Sequence, residues 1–254
     1  MKQNIDRISI QVGLSGYSFK IESDNGLHSS DWMSADRVFT TPEFQKRYDQ
    51  VELAVFTPKA SLVPSQFYSS EIAHKLLSEV VSLKEGEHVE SVDVPEYNAV
   101  LVYSNNIGET LTRVVSETVL FTDGSKARPL PIMYYMLKSL TSLSDYNKIL
   151  AAYMDGVLYL ALAQGGTLLL CNSFKAPDFT TAQYFIFLAL KRLQLNPEMS
   201  TITFMTPLDY EPCCCTFSIT LDLTDRSTKP ALYCTVRTEY CALYGLRFRG
   251  IWKS

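Results

Sequence analysis

An excess of basic charge is the first thing this chain of 254 residues lacks. Its 23 Lys and Arg against 27 Asp and Glu leave a formal net charge of -4 and a pI near 5.5. No global field gathers a polyanion, which lowers the expectation of a nucleic-acid partner. Long apolar runs are missing too, because the densest, Ile149 to Met154 and Tyr184 to Leu190, are far too short to span a bilayer. The start, MKQNIDRISIQVG, has no basic segment followed by a long apolar stretch and no small-residue cleavage site. These absences predict a cytoplasmic chain with no membrane partner.

Chemistry-bearing motifs are equally scarce. Neither a GxGxxG nor a Walker-type phosphate motif occurs. The three histidines, His28, His74 and His88, sit in no local arrangement that pairs a nucleophile with a base and a carboxylate, and each reads as a surface residue. Of the 6 cysteines, Cys213, Cys214 and Cys215 are consecutive, whereas structural zinc sites space paired ligands by roughly two to four residues. Together with Cys234 and Cys241 they read as reduced thiols serving as small hydrophobes beside a strand, and no metal is expected. What is present is ordinary: 46% hydrophobic and 20% charged positions exclude a disordered tail, a collagen-like repeat and a coiled coil. The length suits one large domain or two modest ones.

The alternation of Ile8, Ile10 and Val12 with polar neighbours, and of Tyr17, Phe19 and Ile21 with theirs, predicts a β-hairpin over Arg7 to Glu22. Leu14-Ser15-Gly16 supplies its turn, with Gly16 expected at positive φ. Residues 23 to 40 read as loop, and Thr41-Pro42-Glu43 starts a short helix with an N-cap and a first-turn proline. Val51 to Thr57 is expected as a third strand. Ser70 to Leu83 is expected as a helix behind a serine cap, and Ala99 to Tyr103 as a strand covered on both faces. A helix over Ile132 to Leu143 follows the polar stretch 123 to 131.

Beyond it, Asp155-Gly156 and Gly165-Gly166 separate three apolar runs, which predicts a three-stranded meander. Thr180 and Gln183 have the spacing of a capping box for a helix that Asn196-Pro197 stops. Strands are expected over Thr201 to Met205, Phe217 to Leu223 and Ala231 to Val236. Both halves thus order three strands, a helix and a strand, with low identity between them. That order describes a ribonuclease-H-like core, and two tandem copies describe the actin, sugar kinase and Hsp70 superfamily. The predicted fold class is α/β with mixed sheets, with residues 1–125 as the first half and 126–254 as the second, opened by a linker helix.

The stretches RISIQVGLSGYSFKI, SLVPSQFY and TLLLCNSFKAPDF resemble a Bacteroidetes domain-of-unknown-function family assigned the actin-like ATPase fold, from about Ile5 to about Phe248. The run LLLCNSF before an aromatic helix is the most specific part. The resemblance implies the fold and carries no activity. In nucleotide-hydrolysing members of the superfamily, each hairpin turn cradles phosphate and an acid at the first turn orients a magnesium-bound water. Here Gln11-Val12-Gly13-Leu14-Ser15-Gly16 holds no carboxylate. Where the superfamily has its glycine-rich adenine loop, Thr206-Pro207-Leu208-Asp209-Tyr210-Glu211 holds no glycine.

Ser15, Gly16, Asp155 and Gly156 remain the candidate nucleotide- or anion-binding residues, although Asp155-Gly156 is also what a tight hairpin selects for backbone reasons alone. The expectation is a non-catalytic module with a degenerate nucleotide cleft and a protein partner. No resident cofactor is expected beyond weak ATP and magnesium binding. The competing expectation is a nucleotide-binding protein or phosphotransferase in which Asp155 or Asp209 replaces the usual acid. A third is a nucleic-acid factor using Arg247, Arg249 and Lys253, which interleave with Phe248 and Trp252. Tyr134, Tyr135, Tyr233, Tyr240 and Tyr244 form a candidate aromatic protein-binding surface.

Overall fold

The computed structural model describes residues 6–24, 26–105, 109–195, 200–205, 217–221 and 234–238. The chain divides into two compact units: residues 1–93 with 100–135, and residues 94–99 with 136–254.

The first unit opens with β1 (Arg7–Val12), β2 (Gly16–Ser23), β3 (Gly26–Ser29) and β4 (Met33–Ser34), then two 3-10 helices, Ala35–Phe39 and Pro42–Gln45. It continues with β5 (Arg47–Tyr48), β6 (Gln50–Val55), β7 (Ala60–Pro64), α1 (Ala73–Ser78), β8 (Glu90–Val94), β9 (Ala99–Tyr103), α2 (Glu109–Thr118), β10 (Leu120–Phe121) and β11 (Pro129–Pro131). β1 pairs β2 antiparallel and β6 parallel, and the main sheet runs β11-β6-β1-β2-β3. The inward rows Ile8, Ile10, Val12 and Tyr17, Phe19 meet Phe44, Val115 and Leu53 in one core. Tyr17 and Phe19 pack tilted against Phe44 with ring centroids 5.1 Å and 5.6 Å away.

Several expectations for this unit need correcting. The third strand of the meander is β3, inside the stretch read as loop. All four of its residues are exposed, so it has no buried face to impose a period-two signal. The 51–57 run is instead the parallel partner of β1. Ala99–Tyr103, buried at all five positions as expected, lies at the centre of a separate sheet, β7-β9-β8. The helix expected over 70–83 shrinks to a 3-10 turn and the six residues of α1, and no side-chain cap forms at Ser69. The adjacent β-branched Val80 and Val81 fall beyond its end. Thr41 caps no helix with its side chain, and its hydroxyl instead joins Tyr17 Oη at 2.6 Å and the Arg37 carbonyl at 3.0 Å.

α3 (Ile132–Leu140) carries the chain from one unit to the other. The second unit contains β12 (Asn147–Met154), β13 (Val157–Gln164), β14 (Thr167–Lys175), α4 (Phe179–Arg192), β15 (Ser200–Phe204), β16 (Phe217–Leu221) and β17 (Cys234–Thr238). Here the expected meander forms, with β12 antiparallel to β13 and parallel to β15 in a sheet ordered β14-β13-β12-β15-β17-β16. β12 therefore stands in its sheet as β1 stands in the other. α4 packs Phe179, Ala182, Ile186 and Leu190 onto Leu158, Leu160 and Leu162 of β13. Its cap is Asp178, whose carboxylate accepts the Thr181 N–H at 2.7 Å, rather than the expected Thr180 and Gln183 pair. At the other end of the sheet, Asn147 donates to Ser200 and accepts from Gln164, joining β12, β15 and β13. Among the described residues, no helix is long and apolar enough to cross a membrane.

Candidate functional site

Each unit carries a hairpin turn that is a candidate site of its own. In the first, the Gly13 N–H donates to the Gly16 carbonyl at 2.9 Å and leaves Leu14 and Ser15 exposed at the tip. Gly16 does not adopt the positive φ expected of it. It is needed for a different reason: a Cβ there would lie 2.0 Å from the Met33 carbonyl oxygen, because β4 runs against β2 at this point. The same approach brings Trp32 over the turn. Its indole Nε1 donates to Ser15 Oγ at 3.2 Å, and its ring meets buried Phe56 edge-on at 6.4 Å. Gln11, the first residue of the Gln11 to Gly16 stretch that holds no carboxylate, is buried.

The second turn is built differently. Asp155 at φ +51° and Gly156 at φ +72° both occupy the left-handed region, the geometry that an Asp-Gly hairpin favours. Asp155 is exposed, and the Gly156 carbonyl accepts the Ala176 N–H at 2.8 Å. Tyr153 Oη donates to the Ala176 carbonyl at 2.9 Å, so the link between β14 and α4 lies against this turn. The hairpins also differ in reach. Val12 and Ala151 hold equivalent places, since their carbonyls accept the N–H of Phe56 and Met205, each at 2.9 Å. One residue, Gly13, follows Val12 before the first turn, and three residues, 152–154, follow Ala151 before the second. At the rise of an extended strand the second turn projects about 7 Å further.

The profile of a family described as "Protein of unknown function (DUF3822)" matches residues 7–209. The chain belongs to the DUF3822 family. A protein of Bacteroides thetaiotaomicron VPI-5482, solved as having an actin-like ATPase fold and unknown function, matches this DUF3822 chain with a TM-score of 0.60 at 18% identity, over 82% of this chain and 84% of that one. A PilM-PilN type IV pilus biogenesis complex matches at a TM-score of 0.40 and 10% identity, over 75% and 74%. The Aquifex aeolicus PPX-GPPA enzyme matches at 0.33 and 11%, over 80% and 68%. No curated protein matches the chain. The DUF3822 chain has the actin-like ATPase fold, with a mixed α/β architecture.

The other sequence candidates fall as follows. His28, His74 and His88 are exposed, and His28 Nε2 lies 3.9 Å from Glu43. Among the described residues no group of three metal-ligating side chains forms. Cys171 is half-buried, and its apolar surroundings push its thiol up to about 12. Tyr134 and Tyr135 meet edge-on at 5.4 Å on α3, and Tyr135 Oη donates to the Leu53 carbonyl at 3.4 Å. Asp209, the Cys213 to Cys215 run, Cys241, Tyr233, Tyr240, Tyr244, Asn196-Pro197 and the basic C-terminal stretch lie outside the described residues.

Sequence reasoning missed a buried carboxylate that accepts four hydrogen bonds. Glu87, with no side-chain exposure, accepts from Lys59 Nζ at 2.8 Å and 2.7 Å, from the Lys84 N–H at 2.7 Å and from Ser104 Oγ at 2.7 Å. Burial raises its carboxyl, and these donors outweigh burial to hold it down to about 2. Thr57 Oγ1 adds a bond to the Ser104 carbonyl at 2.7 Å. The network thus fastens the place where the chain leaves β6 for β7 to the end of β9. In the sequence, Lys84-Glu85-Gly86-Glu87-His88 has the composition of a solvated turn, and nothing local marks one of its acids as buried.

Proposed function

We propose that this DUF3822 chain is a non-catalytic protein-interaction module that keeps the actin-like ATPase fold without nucleotide chemistry, and that it works in the cytoplasm. The observation that carries the reading is the indole of Trp32, donating to Ser15 Oγ directly over the first hairpin turn. A phosphate cradled by that turn needs the space and the donors of Leu14 to Gly16. Gln11 and its neighbours supply no carboxylate to hold magnesium or orient a water there. Further support comes from the second turn, where Asp155 and Gly156 take the left-handed geometry that a tight Asp-Gly hairpin selects for backbone reasons alone. A fold retained without its chemistry presents surfaces, and protein partners are what such surfaces recognise.

Capture on the immobilised chain from nuclease-treated lysate, followed by titration with the purified captured protein, tests this. The expected result is one protein retained stoichiometrically after nuclease. Saturable magnesium-dependent ATP binding that Asp155→Ala abolishes would replace the proposal with the phosphotransferase reading. Retention lost on nuclease treatment, with steep salt dependence, would replace it with the nucleic-acid reading.

A further inference from the structure

β7, α1, β8 and β9 stand in the chain between β6 and β11, which are neighbours in the main sheet. They form a sheet and a core of their own, in which Ala73 and Leu77 of α1 meet Val100 and Val102 of β9. The stem of this excursion is pinned, because the Ser104 N–H donates to the Lys59 carbonyl at 2.9 Å beside the Glu87 network. A binding surface is most precise on an element held rigid in this way.

The excursion carries an apolar overhang. Of the eight large hydrophobic residues exposed among the described residues, Phe67, Ile72 and Val80 fall within one short stretch, at 64%, 39% and 62% exposure. Helical turns run on past α1, since the Glu79 N–H donates to the Lys75 carbonyl and the Val80 N–H to the Leu77 carbonyl, both at 3.1 Å. Ile72, Leu76 and Val80 therefore repeat at i, i+4 and i+8 and line one side of those turns. Ala73 and Leu77 are buried in the core, and half-buried Leu76 joins the exposed stripe to it. A stripe with helical spacing is matched by apolar residues three and four apart on a second helix.

Charge selects the occupant. Residues 58–93 hold six acids and three lysines, so three of the four excess negative charges of the chain sit in this stretch. Glu71 and Glu79 border the stripe, both exposed, and neither makes an ion pair among the described residues. A second copy of the chain would set these acids against their equals, a repulsion that an isologous contact repeats twice. We infer that the stripe of Ile72, Leu76 and Val80 docks a basic amphipathic helix of a partner protein, with its apolar residues on the stripe and Lys or Arg beside Glu71 and Glu79. The inference rests on the protein-interaction reading and adds to it the place and the chemistry of the partner.

Two peptides of about 18 residues, with leucine at the same helical spacing and every other position lysine in one and glutamate in the other, test this on the full chain. The lysine peptide should bind saturably, more weakly as salt rises, and should slow amide exchange at residues 76–81. Ile72→Ser combined with Val80→Ser, both at exposed positions, should raise its Kd about tenfold or more. Tyr184→Ser, at an exposed aromatic elsewhere, should leave it unchanged. Glu71→Lys combined with Glu79→Lys should turn the preference toward the glutamate peptide. Equal affinity for both peptides, binding of neither, or binding indifferent to Ile72→Ser with Val80→Ser would each overturn the inference. Those results would leave the protein-interaction reading standing, because its own failure is read separately, as magnesium-dependent ATP binding.

Discussion

Replacing Glu87 by Gln tests the buried network at its centre. Both carboxylate oxygens accept two hydrogen bonds, from Lys59 and Ser104 on one and from Lys59 and Lys84 on the other. The amide keeps one acceptor and turns its NH2 group toward donors, so about two charge-assisted bonds are lost at roughly 1.5 to 3 kcal/mol each. Lys59, whose side chain is 18% exposed, recovers part of this by hydration. The net expectation is a loss of about 3 kcal/mol, within the range for removing one partner of a buried pair. For a chain of this size that lowers the unfolding midpoint by about 6 to 12 °C. The assay is calorimetric unfolding at neutral pH, with Glu85→Gln, an exposed acid two residues away, as the control. A midpoint for Glu87→Gln within about 2 °C of the control would refute the reasoning.

Further outcomes follow from the same geometry. With its folded-state carboxyl at about 2 against an ordinary 4.5, Glu87 stabilises the native state above pH 4.5 and loses that contribution as pH falls toward 2. Acid titration of stability should therefore fall more steeply over that window in the wild type than in Glu87→Gln, and equal slopes would contradict it. Gly16→Ala drives a Cβ into the Met33 carbonyl, so it should cost about 1 to 3 kcal/mol, read by chemical denaturation. Asp178→Ala removes the cap of α4 and should cost about 1 kcal/mol, with amide exchange at Thr181 speeding up.

The second unit was the more legible half. Two strands of its meander, β12 and β13, are buried on both faces along their middles, and its turns carry Asp155-Gly156 and Gly165-Gly166, so local chemistry and tertiary fate agree there. In the first unit β3 has no buried face, and the parallel pairing of Val51 with Ile8 is a long-range choice that no period encodes. The lack of a carboxylate at the first turn was readable from Gln11 to Gly16. Its cover was not, because Trp32 reaches Ser15 only through the backbone approach of Met33 to Gly16. Asp178 was overlooked as a cap because Thr180 and Gln183 two residues later mimic one. Glu87 was hidden because its partners Lys59 and Ser104 are 28 and 17 residues away.

Thermal unfolding with millimolar ATP, ADP and GTP plus magnesium tests most directly the proposal that the chain keeps the actin-like fold without nucleotide chemistry. Ligand at about a hundred times its dissociation constant would stabilise the native state by roughly 2.7 kcal/mol. In a chain of this length that raises the midpoint by about 5 to 10 °C. The expected result is an unchanged midpoint with every nucleotide. A rise of that size, lost in Asp155→Ala, would contradict it.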